Sequence, residues 1–165
     1  MILRFTLLFV LLFSSVAAAA GNSNQPINIT SDSMEAETKA NKVVFKGNVV
    51  AKQQDVTITS NELMATYGVN GKELKDVLAT GNVRITQQDK IAVAEKALFL
   101  NAERKIILTG NPKVWQGKDI ITGEKIIYFL DEDRTIVEGG QERVRATIHP
   151  KKEGTFANST SKGTE

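Results

Sequence analysis

Residues 77–85 read VLATGNVRI: a short aliphatic run, a Gly-Asn pair, and a second run in which apolar side chains alternate with a cation. Alternation with a period of two places Val83 and Ile85 on one face of a strand and Arg84 on the other, which is typical of a half-buried β-strand. Glycine and asparagine both tolerate positive φ and therefore favour a tight turn. The stretch predicts two short strands that meet at a glycine turn.

The same arrangement recurs along the chain in units of roughly 29 residues. Segments of similar sequence open the units at 29–31, 58–60, 92–94 and 121–123. Each unit then reaches a glycine turn, at 47–48, 81–82, 110–111 and 139–140. The start-to-turn distance is 18 residues in three units and 23 in the second, whose additional residues lie around Asn70-Gly71, a hairpin signal. About four stacked units of three short strands each predict an all-β, solenoid-like antiparallel stack.

Strand parity assigns one set of apolar residues to the inside of this stack. The inward row comprises Phe45, Val49, Leu63, Ala79, Val83, Ile85, Phe99, Leu108, Val114, Ile126, Tyr128 and Val137. Such a row is either an ordinary core or the wall of an open groove, and the residues alone leave both interpretations open. A second aliphatic row has the opposite parity and needs a further layer or a partner: Val44, Leu78, Ile107 and Ile136.

The first and last strands of a stack leave one edge unpaired, and such edges accept strands from other molecules. We predict these edges at 27–30 and 144–148. The partner or oligomer contacts would then include Ile27, Ile29, Val144, Ala146 and Ile148.

The two ends of the chain have compositions that differ from the repeat. Residues 1–20 combine Arg4, a short apolar run and Ala18-Ala19-Ala20, which predicts a cleaved signal peptide rather than a retained anchor. Residues 150–165 are rich in Lys, Gly, Ser and Thr and predict a flexible tail. The β-domain would therefore occupy residues 21–149.

The residue types give little support to catalysis, a cofactor or a metal site. The chain has no Cys and one His, His149, and its acidic cluster at 131–133 falls on a predicted hairpin turn. Trp115 has outward parity, where its ring could stack on a sugar or form a rim contact. A formal net charge of +2 gives no reason to expect nucleic acid as a partner. We therefore predict a binding protein that is not an enzyme.

Several motifs in their order and spacing resemble the OstA-like family of periplasmic lipopolysaccharide-transport proteins, the family of LptA. The resemblance covers about 27–148 and rests on FKGNV at 45–49, LATGNV at 78–83, GNPKVWQ at 110–116, DIITG at 119–123, and Ile126 with Tyr128. It implies a twisted β-jellyroll whose apolar interior holds the acyl chains of lipopolysaccharide. The inward row would then be lipid-binding, and the protein would lie in the periplasm.

The resemblance also implies partners. Family members receive lipopolysaccharide from an LptC-like inner-membrane protein, pass it to an LptD-like outer-membrane protein, and join head to tail through their terminal strands. Two alternatives stay open. One is an LptC-like relative that keeps residues 1–20 as an inner-membrane anchor, and the other is a polysaccharide-binding or structural β-solenoid module that binds no lipid.

Overall fold

The computed structural model describes residues 26–69, 71 and 73–150. The predicted signal peptide and nearly all of the predicted tail lie outside these residues. The described chain forms twelve strands and one turn of 3-10 helix, Thr38–Ala40. The strands are β1 (Asn28–Thr30), β2 (Ser33–Glu37), β3 (Lys42–Gln53), β4 (Val56–Tyr67), β5 (Leu74–Gln87), β6 (Lys90–Leu100), β7 (Lys105–Thr109), β8 (Lys113–Gln116), β9 (Asp119–Thr122), β10 (Lys125–Phe129), β11 (Arg134–Glu138) and β12 (Arg145–Thr147).

The Gly-Asn pairs of the first two units do not separate strands, so this part of the prediction was wrong. Gly47-Asn48 lies inside β3 and Gly81-Asn82 inside β5, and the pairing register shifts at both places. All four of these residues have positive φ, from 45° to 78°. They therefore form β-bulges that bend a continuous strand. The first unit therefore contains the short β1 and β2 and the long β3, and the second contains the two long strands β4 and β5.

A side chain lies over each bulge and explains why glycine is needed there: Asn61 of the adjacent strand β4 over Gly81, and Asp32 of the bend between β1 and β2 over Gly47. A Cβ on Gly81 would lie 2.6 Å from the Asn61 side-chain nitrogen, and Asp32 lies in the same way over Gly47. Asn48 donates a side-chain hydrogen bond of 2.9 Å to Asp32. The bulges lie on β3 and β5, on either side of β4, and the pairing register shifts at the same level from β3 to β6. The strands therefore bend together along one line, which we call the corner.

The corner divides the sheet into two halves, each with eight antiparallel strand segments within the described residues. The first half contains β2, 42–46 of β3, 62–67 of β4, 74–80 of β5, 96–100 of β6, β7, β10 and β11. The second half contains β1, 49–53 of β3, 56–60 of β4, 83–87 of β5, 90–94 of β6, β8, β9 and β12. On the side away from the corner no strand pairing of the described chain joins the halves. We call this side the mouth.

The inner faces of the two halves pack against each other beside the corner. Leu108 and Ile126 of the first half share one apolar cluster with Val83 and Val114 of the second. Ile126, Val49 and Val83 are no more than 2% exposed. This arrangement is the twisted, antiparallel β-jellyroll that was expected.

The additional residues of the second unit lie in a loop at the mouth, as predicted. The loop joins β4 to β5, and the Gly68 amide donates to the Glu73 carbonyl over 2.8 Å. The two strands stay paired up to the loop, with one register shift beside it, between Thr66 and Tyr67.

Candidate functional site: an apolar interior with open ends

Two apolar rows cross the inner face of the first half, perpendicular to its strands. Direct cross-strand partners build the row nearer the corner: Met34, Phe45, Leu63, Ala79, Ala97, Leu108, Ile126 and Val137. The next row contains Ala36, Val43, Ala65, Val77, Phe99, Ile106 and Tyr128. The first row is apolar from β2 to β11, whereas the second is apolar from β2 to β10 and ends at the polar Thr135 of β11. The inner face of the half is therefore apolar along its whole length in the row nearer the corner.

The second half carries a matching row on its inner face. Its members are Ile29, Ala51, Ile58, Ile85, Ala92, Val114, Ile121 and Ala146. An apolar surface therefore faces an apolar surface across the interior, from β1 and β2 at one end to β11 and β12 at the other.

The structure places all of the predicted inward residues on this inner face, but at different depths. Eight are at most 6% exposed and pack on other side chains: Val49, Leu63, Ala79, Val83, Leu108, Val114, Ile126 and Tyr128. Four are half-buried: Phe45, Ile85, Phe99 and Val137. Only the half-buried residues present surface that a ligand can contact without displacing the core.

Three further half-buried residues lie on the same inner face and were not singled out from the sequence. Ile58, Val77 and Ile106 each pack on one of the buried clusters with part of their surface still open. Together with Phe45, Ile85, Phe99 and Val137 they make up what we call the open inner set. Strand parity alone would have found two of them, because Val77 and Ile106 each lie two residues before a predicted inward residue, Ala79 and Leu108.

A polar row bounds the apolar interior at the mouth of the second half. Its polar members are Gln53, Gln87, Lys90, Gln116 and Asp119, and one apolar residue, Val56, lies between Gln53 and Gln87. The Gln87 side-chain amide donates to the Asp55 carboxylate over 3.2 Å. The inner face of this half thus changes from apolar to polar over two residues, which would let sugar hydroxyls or water meet polar groups at the mouth.

Tyr128 and the acidic turn at 131–133 have structural partners. The Tyr128 hydroxyl donates to Asp133 over 2.7 Å. Burial, and secondarily this hydrogen bond, raise the pKa of Tyr128 well above its ordinary value, so the phenol is neutral. Asp131 pairs with Arg104 at 3.2 Å, and Glu132 pairs with Arg134 at 2.7 Å. The turn therefore closes a hairpin, and its carboxylates already have partners.

Groups suited to bind a metal ion are absent from the described residues, where no three His, Cys, Asp or Glu side chains come together. His149 contacts Asp119 through Nδ1 at 3.1 Å and through its backbone amide at 2.8 Å. The segment after β12 is thus held against β9 by this contact. Nor does the described part contain a helix long and apolar enough to cross a membrane.

The two ends of the jellyroll expose strand edges. Each of β1, β2, β11 and β12 pairs with a single neighbour in the described chain. The predicted edge residues lie here: Ile29 and Ala146 within β1 and β12, and Ile27, Val144 and Ile148 beside them at 52%, 43% and 52% exposure. The sequence did not indicate β2 and β11, which form the edges of the first half.

The outward face of the first half carries the second aliphatic row. It continues without a gap through Val44, Met64, Leu78, Leu98, Ile107, Ile127 and Ile136. The four residues predicted from the sequence are therefore members of one seven-strand row.

Comparison with known proteins assigns the fold to a family. The family described as LptA/(LptD N-terminal domain) LPS transport protein matches residues 28–134. The chain belongs to this family. The family resemblance noted in the sequence is thus confirmed, and the jellyroll with an apolar interior is the architecture of an LptA-family protein.

Individual relatives agree with this assignment. The lipopolysaccharide export system protein LptA of Escherichia coli strain K12 is 37% identical over 70 residues, covering 40% of this chain and 38% of that protein. LptA of Shigella flexneri gives the same figures. The match therefore spans 38% of the length of these curated relatives.

A solved structure extends the likeness to most of the fold. It is LptH of Pseudomonas aeruginosa, described as the LptA homologous periplasmic component of the conserved lipopolysaccharide transport device. The TM-score is 0.68 at 22% identity, over 76% of this chain and 96% of LptH. At this identity the likeness establishes the fold.

Proposed function

We propose that the protein is a periplasmic bridge component that carries lipopolysaccharide between an inner-membrane complex and an outer-membrane translocon, with acyl chains held between the two halves and no chemical step. The observation that carries this proposal is the apolar inner face, which runs uninterrupted from one open end of the jellyroll to the other. Membership of the LptA family supports the same function.

The physical demand on such a carrier is the shelter of hydrocarbon from water. Each CH₂ group left in water costs about 0.8 kcal/mol, so an acyl chain of lipopolysaccharide needs on the order of 10 kcal/mol. Apolar burial supplies roughly 25 cal/mol per Å², so several hundred Å² of contact per chain is required. Rows of similar aliphatic side chains provide this contact with no single preferred subsite, which permits movement along the rows.

The open inner set is where we place the lipid. These residues combine an apolar surface with partial exposure, whereas the more deeply buried residues of the predicted row form the support behind them. The proposal therefore assigns acyl contact to Phe45, Ile85, Phe99 and Val137 first. The remaining predicted residues would contact lipid only if the halves separated.

The open ends support head-to-tail assembly, because a second copy would continue the antiparallel alternation in both halves at once. Each half has an even number of segments, so β11 of one copy and β2 of the next run in opposite directions, as do β12 and β1. If the rows stay continuous, Val137 faces Met34 of the next copy and Ala146 faces Ile29. Arg134 would then face Glu37.

Partners built from the same kind of half-sheet would use these same ends. An LptC-like protein on the inner membrane and an LptD-like protein on the outer membrane would each add strands to one end and extend the apolar rows. Lipid could then pass from one jellyroll to the next without entering water.

The test of this function is site-specific photocrosslinking to lipopolysaccharide from the two faces of one strand. Phe99 and Leu98 are consecutive residues of β6 on opposite faces, and both are half-buried. A carrier with an internal groove labels from the first and not from the second.

The alternative of an anchored, LptC-like protein differs in the fate of residues 1–20. We expect N-terminal sequencing of the exported protein to begin near Gly21, because the small residues at 18–20 suit signal peptidase. An exported protein that keeps Met1 would contradict the soluble periplasmic carrier and support the anchored relative.

A further inference from the structure

The outward face of the second half carries a group of cations, and no carboxylate points outward from the described strand segments of this half. Lys52, Arg84, Lys113 and Arg145 are all exposed and share this face. They lie on β3, β5, β8 and β12, which are every second strand in the order of this half. Arg84, Lys113 and Arg145 lie in one cross-strand row, where they recur about every 10 Å because neighbouring strands are about 4.8 Å apart. Lys52 lies in the adjacent row, nearer the mouth, together with Trp115.

The two outward faces differ in how their charges are balanced. On the first half, Lys42, Lys46 and Lys125 form ion pairs with Glu37, Glu35 and Glu138. On the second half, the described strand segments place no carboxylate outward, and the four cations form no ion pair with a described side chain. An unbalanced positive potential therefore lies on one side of the jellyroll only.

The same face carries groups that bind sugars. Trp115 is partly exposed on β8, between its cross-strand partners Ile91 and Ile120, and lies two residues from Lys113. A flat indole with apolar neighbours offers a stacking surface to the apolar face of a sugar ring. Threonine hydroxyls, which donate and accept hydrogen bonds, fill outward positions on the neighbouring strands: Thr57, Thr59, Thr86, Thr122 and Thr147.

At the C-terminal end this face deepens into an open depression of about 890 Å³. Lys113, Arg143 and Arg145 contribute cations to its lining, and Glu124 and Glu142 contribute carboxylates. The Glu124 carboxylate already accepts the Gln141 backbone amide over 3.0 Å. Both nearby connections line the depression: three residues, 110–112, join β7 to β8, and six residues, 139–144, join β11 to β12.

We infer that this face, centred on Lys113 and Trp115, binds a phosphorylated saccharide. The cations take the phosphates, the threonines meet sugar hydroxyls and Trp115 stacks on a ring. The source we assign is the head group of the carried lipid, and in this respect the inference rests on the proposed function. Strand addition at the ends uses the backbone edge of β12, so the face stays open in an assembled bridge.

The path from the groove to this face is short. The strand segments whose inner side forms the polar row at the mouth carry the cations and Trp115 on their outer side. Hairpins at 88–89 and 117–118 join these strands at the mouth. A head group that leaves the interior over these hairpins reaches the cationic face without crossing the first half.

The test measures binding of a deacylated, phosphorylated lipopolysaccharide saccharide to the full-length protein by calorimetry. We expect saturable binding that weakens with added salt, because exposed charges are screened. Lys113→Gln and Trp115→Ala should each weaken it by about tenfold, as expected for loss of a charge-assisted hydrogen bond or of a stacked ring. Lys96→Gln removes an exposed cation from the outward face of the first half and should change nothing.

Other results would overturn the inference. These are no saturable binding by the unmodified protein, an equal loss in Lys96→Gln, or equal affinity for the dephosphorylated saccharide. Tighter binding of the protein to anionic phospholipid vesicles that depends on Lys113 would assign the face to a membrane surface instead. Photocrosslinking of acyl chains from Phe99 reports on the groove separately, so failure of the groove and failure of this face are distinguishable.

Discussion

Leu108→Asp is expected to destabilise the domain strongly, because it places a carboxylate in a buried apolar cluster of the interior. Leu108 is 5% exposed and packs with Ala79, Val83 and Ile126. Loss of a buried leucine side chain costs about 2 to 5 kcal/mol, and burial of an unpaired polar group adds about 1 to 3 kcal/mol. The sum approaches the entire stability of a typical domain, about 5 to 15 kcal/mol. Urea denaturation followed by circular dichroism measures the effect.

Phe99→Asp is the matched variant that separates folding from lipid binding. Phe99 is half-buried beside Tyr128 and Leu130. The carboxylate of an aspartate at this position can therefore reach water at the mouth. We expect this variant to fold and to lose most of its lipopolysaccharide binding. Leu98→Asp changes the preceding residue on the outward face and should keep binding.

Two results would contradict this division of the inner face. If Leu108→Asp kept the urea midpoint of the unmodified protein, the interior beside the corner would not be the packed core described above. If Phe99→Asp folded and bound lipopolysaccharide as well as Leu98→Asp, the open inner set would not be the lipid surface.

Removal of β12 is expected to abolish head-to-tail assembly. A chain that ends at Arg143 loses the edge strand of the second half together with the exposed Val144 and Ile148. Among the described residues, the three core clusters contain none beyond Val137, so the monomer should stay folded. We expect self-association to weaken by at least about tenfold, since both backbone pairing and apolar burial are lost at the junction. Sedimentation velocity over a range of concentrations measures it.

A chain that ends at Pro150 is the control for this truncation, because it removes the predicted tail and keeps β12. Its assembly should match that of the full chain. Concentration-dependent oligomers that persist in the chain ending at Arg143 would contradict assembly through β12.

The register of the junction can be tested by exchanging its charges. Arg134→Glu and Glu37→Arg each place like charges opposite each other at every junction, so each variant alone should assemble less well. In an equimolar mixture of the two variants, opposite charges face each other again wherever the variants alternate, and assembly should be regained. The effect will be modest, because an exposed ion pair contributes about 0 to 1 kcal/mol and both residues already have partners within their own chain.

Strand parity was the part of the fold that the sequence specified best. Apolar alternation placed Phe45, Leu108 and Val137 on one face, and cross-strand pairing confirms that they lie in one row. The degree of burial of each inward side chain was not predictable. Strand parity tells which face a residue lies on, but not whether it lies near the corner or near the mouth. Val49 and Phe45 share the inner face, yet Val49 is 1% exposed and Phe45 is half-buried.

The Gly-Asn pairs show why local turn chemistry can mislead. Positive φ at two consecutive residues suits a hairpin turn and a bulge equally well, so residue types could not distinguish them. The neighbouring strand decides between a turn and a bulge. β4 runs without a break through Asn61, alongside Gly81, so the chain at Gly81-Asn82 forms a bulge. The cationic face was equally hidden, since Arg84, Lys113 and Arg145 come together in one row, with Lys52 in the next, only when the strand order is known.

The most direct test of lipid carriage is the paired crosslinking experiment on β6. A photoreactive amino acid is placed at Phe99 or at Leu98 of the full chain, lipopolysaccharide is added, and adducts are detected with an antibody to the saccharide. The proposed function predicts a strong adduct from position 99 and at most a trace from position 98. Equal labelling from both positions, or labelling from 98 alone, would contradict an internal groove for lipid.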